Sequence, residues 1–207
     1  MFATEAASGK PFAARGISCQ HGSTTLFTAL DISLASGHAL LLRGRNGSGK
    51  TSLLRILAGL RQPTQGELCW LHGMANQAGT LYAGHQAALK DDLTAIENLS
   101  FAAQLDGRAA TRTELNDAVQ QVGLHSRSHL LARQLSQGQR RRIVIARLLL
   151  ARRPLWLLDE PDSALDADGI ELLQAVIRTH LERGGLAIVA THHALDLGAN
   201  VAELTLQ

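Results

Sequence analysis

The segment GRNGSGKT, Gly44–Thr51, carries the residues whose types and spacing most clearly predict chemistry. It matches the phosphate-binding pattern GxxxxGK(S/T) and lies between a predicted strand and a predicted helix, the setting that the pattern requires. The glycines let backbone N–H groups surround a phosphate, while Lys50 reaches the β- and γ-phosphates and the Thr51 hydroxyl ligates Mg²⁺. The residues predicted to bind nucleotide here are Gly44, Arg45, Asn46, Gly47, Ser48, Gly49, Lys50 and Thr51.

Two adjacent acids in LWLLDEP, Asp159 and Glu160, are candidates for binding a metal and activating water beside a bound phosphate. Asp159 ends a predicted buried strand, and ligand sites of open α/β sheets lie at the carboxyl ends of the strands. We expect Asp159 to hold Mg²⁺ and Glu160 to orient or deprotonate an attacking water. Two acids at a strand end are often only a solvated turn, but a phosphate loop in the same chain favours the catalytic interpretation.

A third segment, LSQGQ, sets a polar turn against the start of a long apolar helix. Ser136 is a good N-cap, and with Gln137 and Gly138 it leaves backbone N–H groups at the positive end of a helix dipole. This arrangement predicts an anion site. By itself the pattern fits a plain helix start equally well.

Three apolar runs predict the strands that position these motifs: HALLLRG at 38–44, PLWLLDE at 154–160 and LAIVATHH at 186–193. Each run is continuous, and helical patterns separate them, which favours a parallel sheet covered on both faces. Residues 87 to about 134 carry no strand pattern, and Thr94 with Glu97 forms a capping box there. We therefore expect a mostly helical insertion.

The composition fits one globular domain, residues 1–207. With 45% hydrophobic residues, 18% charged residues and a formal net charge of +2, the chain has too little charge to favour nucleic acid. Cys19 and Cys69 match no metal or redox spacing, so we expect reduced thiols in an intracellular protein. The run Arg140–Arg142 predicts a solvated helix face.

Contact with a membrane is expected only through a partner. No apolar stretch approaches the roughly 20 residues that span a bilayer. The start of the chain, MFATEAASGK, lacks a signal-peptide core.

The order of phosphate loop, LSQGQ and acidic strand resembles that of the ATP-binding-cassette (ABC) ATPases, whose signature is LSGGQ. Gln137 replaces the first glycine here. QPTQGEL is similar to the family's turn after the phosphate-loop helix, and SALD, Ser163–Asp166, is similar to the loop that crosses its dimer interface. The resemblance covers nearly the whole chain. It implies the α/β fold of a P-loop NTPase, with a mostly parallel sheet core, an N-terminal antiparallel β part and an inserted helical subdomain at about residues 87–150.

The resemblance also assigns residues that composition and spacing do not. In LYAGHQAALKDDLTAIENL the family glutamine is Gln86, which would sense Mg²⁺ and the attacking water, although the adjacent His85 could be mistaken for it. In VATHH the family histidine, a γ-phosphate contact, is His192 in preference to His193. Thr51, Gln86 and Asp159 are thus the implied metal ligands.

In this family the signature serine binds the γ-phosphate of an ATP that another cassette holds. The resemblance therefore implies a homodimer in which Ser136, Gly138 and Gln139 complete the neighbouring site, with ATP and Mg²⁺ bound. The family also stacks adenine on an aromatic residue near the N-terminal strands. In ISCQHGSTTLF the corresponding residue is His21, and an exposed turn histidine is an equal alternative.

A narrower resemblance is carried by YAGHQAALKDDLTAIENL, ARQLSQGQRRRIVIARLLL and PLWLLDEP. It points to the ATP-binding subunits of the haem exporters of cytochrome c biogenesis. It implies a cytoplasmic ATPase subunit, peripheral on the inner face of the cell membrane and bound to integral membrane permease subunits.

The nine histidines form no ligand cluster, so partner proteins are expected to handle haem. A subunit of another importer or exporter would share every site residue. The DNA-repair type of ABC ATPase carries coiled coils or zinc modules that this sequence lacks, and no nucleic acid partner is expected.

Overall fold

The computed structural model describes residues 12–70 and 79–207, so the segment MFATEAASGK lies outside the described residues. The strands are β1 Phe12–His21, β2 Thr24–Leu34, β3 Ala39–Gly44, β4 Gln65–Trp70, β5 Thr80–Ala83, β6 Leu155–Asp159, β7 Leu186–Ala190 and β8 Val201–Leu206. The helices are α1 Lys50–Leu57, α2 Ala95–Leu105, α3 Arg112–Gln121, α4 Gln137–Leu150 and α5 Ala167–Glu182, with short 3-10 turns at His125–Arg127 and Ala132–Gln134.

The strands form two sheets. An antiparallel sheet has the order β2-β1-β4, and a parallel sheet has the order β5-β6-β7-β3-β8. Leu42 of β3 and Asp159 of β6 both pair with Ala190 of β7. The carboxyl ends of these three strands are therefore level, and the loops that follow them emerge at one edge of the sheet.

The parallel sheet is buried on both faces, as the continuous apolar runs predict. In β6, Leu155 and Leu157 belong to the core under the antiparallel sheet and α1, whereas Trp156 and Leu158 face the core formed with α2 to α5. Successive strand residues point to opposite faces, so a strand covered on both sides must be apolar at every position. The three strands predicted from sequence correspond to β3, β6 and β7.

The chain between β5 and β6 is helical in the structure. Its first helix, α2, begins at the predicted capping box: the Thr94 hydroxyl accepts the Glu97 N–H at 3.3 Å, and a Glu97 carboxylate oxygen accepts the Thr94 N–H at 2.8 Å. The predicted helical insertion is thus present. The division of the chain at residues 87–150 stays a prediction.

Candidate active site

The phosphate loop runs from the end of β3 into α1. Gly44, Gly47 and Gly49 have φ values of +141°, +85° and +99°, which side chains with a Cβ rarely adopt. A Cβ on Gly44 would also lie 2.5 Å from the Leu206 carbonyl oxygen. The loop's folded-back path therefore requires the glycines that the motif supplies.

Lys50 is buried at the start of α1 and turns its ammonium group into the loop. Its Nζ donates to the carbonyl oxygens of Gly44 at 2.8 Å and Arg45 at 3.2 Å. The buried hydroxyl of Ser48 has no hydrogen-bond partner among the described residues. Ser48 is not among the residues that line the neighbouring cleft, whereas Gly47, Gly49 and Lys50 of the same loop are, so these three residues present the loop to a ligand.

The acid pair lies at the end of β6. Asp159 is buried, and its Oδ2 accepts a hydrogen bond from the Tyr82 hydroxyl at 3.3 Å. Burial, with a smaller contribution from the Asp159 charge, raises the pKa of Tyr82, so this hydroxyl remains a donor. Tyr82 thereby fixes the orientation of the carboxylate, a role that the motif search missed.

Glu160 has a left-handed backbone, with a φ of +50°, an uncommon and strained conformation for a residue with a side chain. Its N–H donates to the Ala190 carbonyl oxygen at 2.8 Å. The carboxylate lies between two imidazoles, with His85 Nδ1 3.1 Å from Oε2 and His192 Nε2 3.4 Å from Oε1. The strained backbone thus aims a carboxylate between two histidines at the sheet edge.

A cleft of about 630 Å³ brings these groups together. Its lining includes most of the phosphate loop, both acids and His21, which lies at the end of β1 and whose role against adenine stays a prediction. The lining residues are His21, Thr24, Leu26, Asn46, Gly47, Gly49, Lys50, Thr51, Ser52, His85, Asp159 and Glu160.

The cleft also fits a hard cation. The Thr51 hydroxyl and the Asp159 carboxylate both line it, and Mg²⁺ prefers oxygen ligands while keeping water and phosphate oxygens in its remaining positions. In the part of the chain that the structure describes, no group of three or more His, Cys, Asp or Glu side chains could hold a metal by itself. Thr51 and Asp159 supply two oxygen donors in the cleft, which fits the few protein ligands that Mg²⁺ takes at nucleotide sites.

Gln86 lies outside this cleft. It is exposed and lines a separate apolar groove against α2, while its neighbour His85 lines the cleft and contacts Glu160. The role expected for Gln86 stays a prediction.

The two candidate histidines after β7 occupy different environments. His192 faces Glu160, whereas the ring of His193 donates from Nδ1 to the carboxylate of Asp162. His192 thus contacts Glu160 without being among the residues that line the cleft, and its choice over His193 as the γ-phosphate contact stays a prediction.

The LSQGQ segment forms the start of α4. Ser136 is the N-cap: its hydroxyl accepts the Gln139 N–H at 3.3 Å, and the Gln139 side chain accepts the Ser136 N–H at 3.0 Å. A Cβ on Gly138 would lie 2.8 Å from the Ala164 carbonyl oxygen, so glycine allows α4 to approach the SALD loop. Among the described residues that line the cleft, none belongs to LSQGQ.

Comparison with known proteins decides the family. Residues 27–163 match the ABC transporter family. The chain belongs to this family. It is 42% identical over 205 residues to the Cytochrome c biogenesis ATP-binding export protein CcmA of Methylococcus capsulatus, covering 96% of this chain and 99% of that protein. The protein of the same name from Cupriavidus necator is 47% identical over 199 residues, covering 93% of this chain and 87% of that protein.

Solved structures of ABC proteins share the fold. An ABC transporter ATP-binding protein from Pyrococcus furiosus has a TM-score of 0.83 at 22% identity, covering 94% of this chain and 96% of that one. A dimeric ATP-binding cassette in a post-hydrolysis state, bound to ADP and Pi, has a TM-score of 0.80 at 23% identity, covering 95% and 96%. These structures confirm the predicted α/β fold, and the family match confirms the ABC ATPase class.

One prediction about this ABC ATPase is wrong: Arg141 is only 5% exposed and is not part of a solvated face. Its Nη2 donates to the carbonyl oxygens of His85 and Glu160, each at 2.9 Å, and to the Ser163 hydroxyl at 2.5 Å. Nη1 and Nε reach the carbonyl oxygens of Gly84 and Ser163, both at 3.4 Å. Arg141 thus joins the signature helix to the two loops that follow β5 and β6 beside the cleft.

Helical spacing could have revealed Arg141. It lies three and four residues before Val144 and Ile145, which are buried on the same helix. Burial lowers the pKa of this guanidinium, while the charges of Asp162, Glu160 and Asp159 oppose that shift. The nearby carboxylates therefore help to keep the buried cation charged.

Proposed function

We propose that this chain is the ATP-binding and ATP-hydrolysing subunit of a membrane complex of cytochrome c biogenesis, in the haem exporter class. The observation that carries the chemistry is the cleft in which the phosphate loop, Asp159 and Glu160 meet at one sheet edge. The assignment to cytochrome c biogenesis is supported by relatives that are 40% to 47% identical and carry that name.

The residues divide the reaction between them. Lys50 leaves its two carbonyl acceptors for the β- and γ-phosphates, and the glycine-rich backbone donates N–H groups to the same oxygens. Thr51 and Asp159 would hold Mg²⁺, which would supply positive charge to neutralise the phosphates. Gln86 would join them as a ligand after its loop moves from the neighbouring groove. Glu160 accepts the proton of the attacking water, and His192 donates to the γ-phosphate.

The complete site is shared by two copies of the chain. The side chain of Ser136 is exposed at the positive end of α4 and does not line the cleft of its own chain. In a two-fold dimer, Ser136, Gly138 and Gln139 of one copy face the γ-phosphate held by the other copy. Hydrolysis then separates the two copies and drives a conformational change in the membrane partners.

The groove beside Gln86 is the docking site for an integral membrane permease subunit. Phe101 is 38% exposed and Leu105 is 69% exposed on α2, unusual for large apolar side chains, and both line this groove.

No helix within residues 12–70 and 79–207 is long and apolar enough to cross a bilayer. We place the chain peripherally on the cytoplasmic face, with His21 against adenine and with haem bound by the partners alone.

Complementation tests this proposal. The chain is expressed in a bacterium that lacks its own ATP-binding subunit for cytochrome c maturation, and holocytochrome c is measured by haem staining. Wild type should restore holocytochrome c, and Lys50→Ala, expressed at equal level, should not. If wild type fails although it co-purifies with the host permease subunits and hydrolyses ATP, the cargo assignment is wrong and the ATPase assignment stands.

A further inference from the structure

Asp162 is a buried acid that no motif assigned to the site. It lies two residues after Glu160, and its side chain is 2% exposed. The Oδ2 atom accepts a hydrogen bond from the Thr191 hydroxyl at 2.6 Å and another from Nδ1 of His193. Because a buried carboxylate is costly unless it is paired, these two bonds tie the loop after β6 to the segment after β7.

Thr191 and His193 flank His192, and the backbone of both is fixed. The N–H of His193 donates to the Thr191 hydroxyl at 3.0 Å. Arg43, next to the phosphate loop, donates from Nη1 to the carbonyl oxygens of Thr191 at 3.1 Å and His193 at 2.5 Å. The Arg43 guanidinium also pairs with Glu203 at 3.3 Å.

His192 lies between these two fixed residues, but its own side chain has a different partner. Its neighbours on both sides are held by hydrogen bonds to Asp162 and Arg43, while its own imidazole is 3.4 Å from Glu160. Asp162 and Arg43 together therefore fix the backbone on either side of His192, the residue whose imidazole contacts Glu160.

We propose that Asp162 is a positioning residue that, through Thr191 and His193, sets His192 at its working distance from Glu160. This inference rests on the proposed role of His192 in ATP hydrolysis. Asp162 acts only through these neighbours and touches no reacting atom. The role requires a hydrogen-bond acceptor at one oxygen position, since both bonds end on Oδ2.

The main test uses His193→Ala, because the His193 side chain is 63% exposed and its loss leaves no cavity in the core. His193→Asn is the matched rescue variant, since an Asn side-chain N–H occupies the position of Nδ1. On the other side of the bond, Asp162→Asn keeps an oxygen that can accept from both Thr191 and His193, whereas Asp162→Ala does not. His129→Ala, at an exposed residue outside the cleft lining, is the control.

Single-turnover hydrolysis with protein in excess gives the rate constant, and equilibrium binding of a fluorescent ATP analogue gives the affinity. His193→Ala should lower the rate constant about 10- to 100-fold, the usual cost of losing a residue that orients a site residue, and leave ATP affinity unchanged. His193→Asn and Asp162→Asn should recover most of the rate. The losses in His193→Ala and Asp162→Ala should be less than additive when the two changes are combined, because both remove the bond between these two side chains, while Asp162→Ala also removes the bond from Thr191.

Suppose that His192→Ala is inactive but His193→Ala hydrolyses ATP at the wild-type rate. This result overturns the inference about Asp162 and leaves the proposed function intact. The inference also fails if His193→Asn is as slow as His193→Ala, or if the loss is in ATP affinity. If His192→Ala itself turns over normally, the proposed role of His192 fails, and the role of Asp162 fails with it.

Discussion

The carboxylate of Glu160 lies 3.4 Å from Nε2 of His192, although the two residues belong to different strand–loop connections. They meet because β6 and β7 are adjacent parallel strands whose carboxyl ends are level. In the proposed mechanism this contact places the base, Glu160, beside a hydrogen-bond donor, His192, next to the γ-phosphate.

Glu160→Gln should therefore retain ATP binding and lose turnover by a factor of about 10² to 10⁴. The amide fills the same volume but cannot accept the proton. The check combines phosphate release with equilibrium nucleotide binding, with the membrane partners present. Near-normal phosphate release would exclude Glu160 as the base.

Lys50→Ala should weaken ATP binding about 10- to 100-fold, the equivalent of one hydrogen bond between a charged donor and a phosphate. The variant removes the ammonium group that lies inside the phosphate loop. Calorimetric titration with ATP measures the change. His129→Ala, at an exposed residue outside the cleft lining, is the control and should bind ATP like wild type. Affinity equal to wild type in Lys50→Ala would refute the phosphate-loop assignment.

Lys50 of one copy and Ser136 of the other should act on the same nucleotide. Each homodimer of Lys50→Ala or Ser136→Arg then has two damaged sites, whereas a mixed heterodimer has one site with both lesions and one intact site. In a Glu160→Gln background, mixing should restore about one bound nucleotide per heterodimer, as the two-fold arrangement requires. Absence of recovery, with the heterodimer demonstrated, would mean that Ser136 does not act on the partner's nucleotide.

Arg141→Met should lower the free energy of unfolding by about 1–3 kcal/mol, because it leaves the buried carbonyl oxygens around the cleft without their donor. Arg140→Met is the matched control on the same helix. Arg140 forms a partly exposed ion pair with Asp91 at 2.7 Å, and pairs of this kind contribute less than about 1 kcal/mol. Urea unfolding measures the free energy of unfolding of both variants. Equal losses would show that Arg141 contributes no more to stability than Arg140.

His180 should make stability depend on pH. Its ring stacks on Trp156 with the centroids 3.7 Å apart, and burial lowers its pKa below the ordinary value of 6.5. Below about pH 6.5 the unfolded chain binds a proton that the folded chain resists, so stability should fall as the pH drops from there towards the lowered folded pKa. The slope from this one group is at most about 1.4 kcal/mol per pH unit.

His180→Phe keeps an aromatic ring against Trp156 and removes the titrating group. Urea unfolding between pH 5 and 7.5 should give a shallower pH dependence for this variant than for wild type. Parallel curves would show that His180 does not titrate differently on folding.

The sequence alone determined the features that depend on short stretches of chain. The phosphate loop, the acids at the end of β6, the capping box of α2 and the N-cap of α4 all follow from neighbouring residues, because backbone conformation and capping are local properties. The buried parallel strands could be predicted for a similar reason: a strand covered on both faces must be apolar at every position.

Only the tertiary structure decided how side chains distant in sequence are paired. It turned His193 towards Asp162 and left His192 facing Glu160, and it buried Arg141 among carbonyl oxygens. It also put His85, not Gln86, in the lining of the cleft. Two adjacent histidines have the same chemistry, and the direction in which the backbone leaves the strand decides which group each side chain contacts.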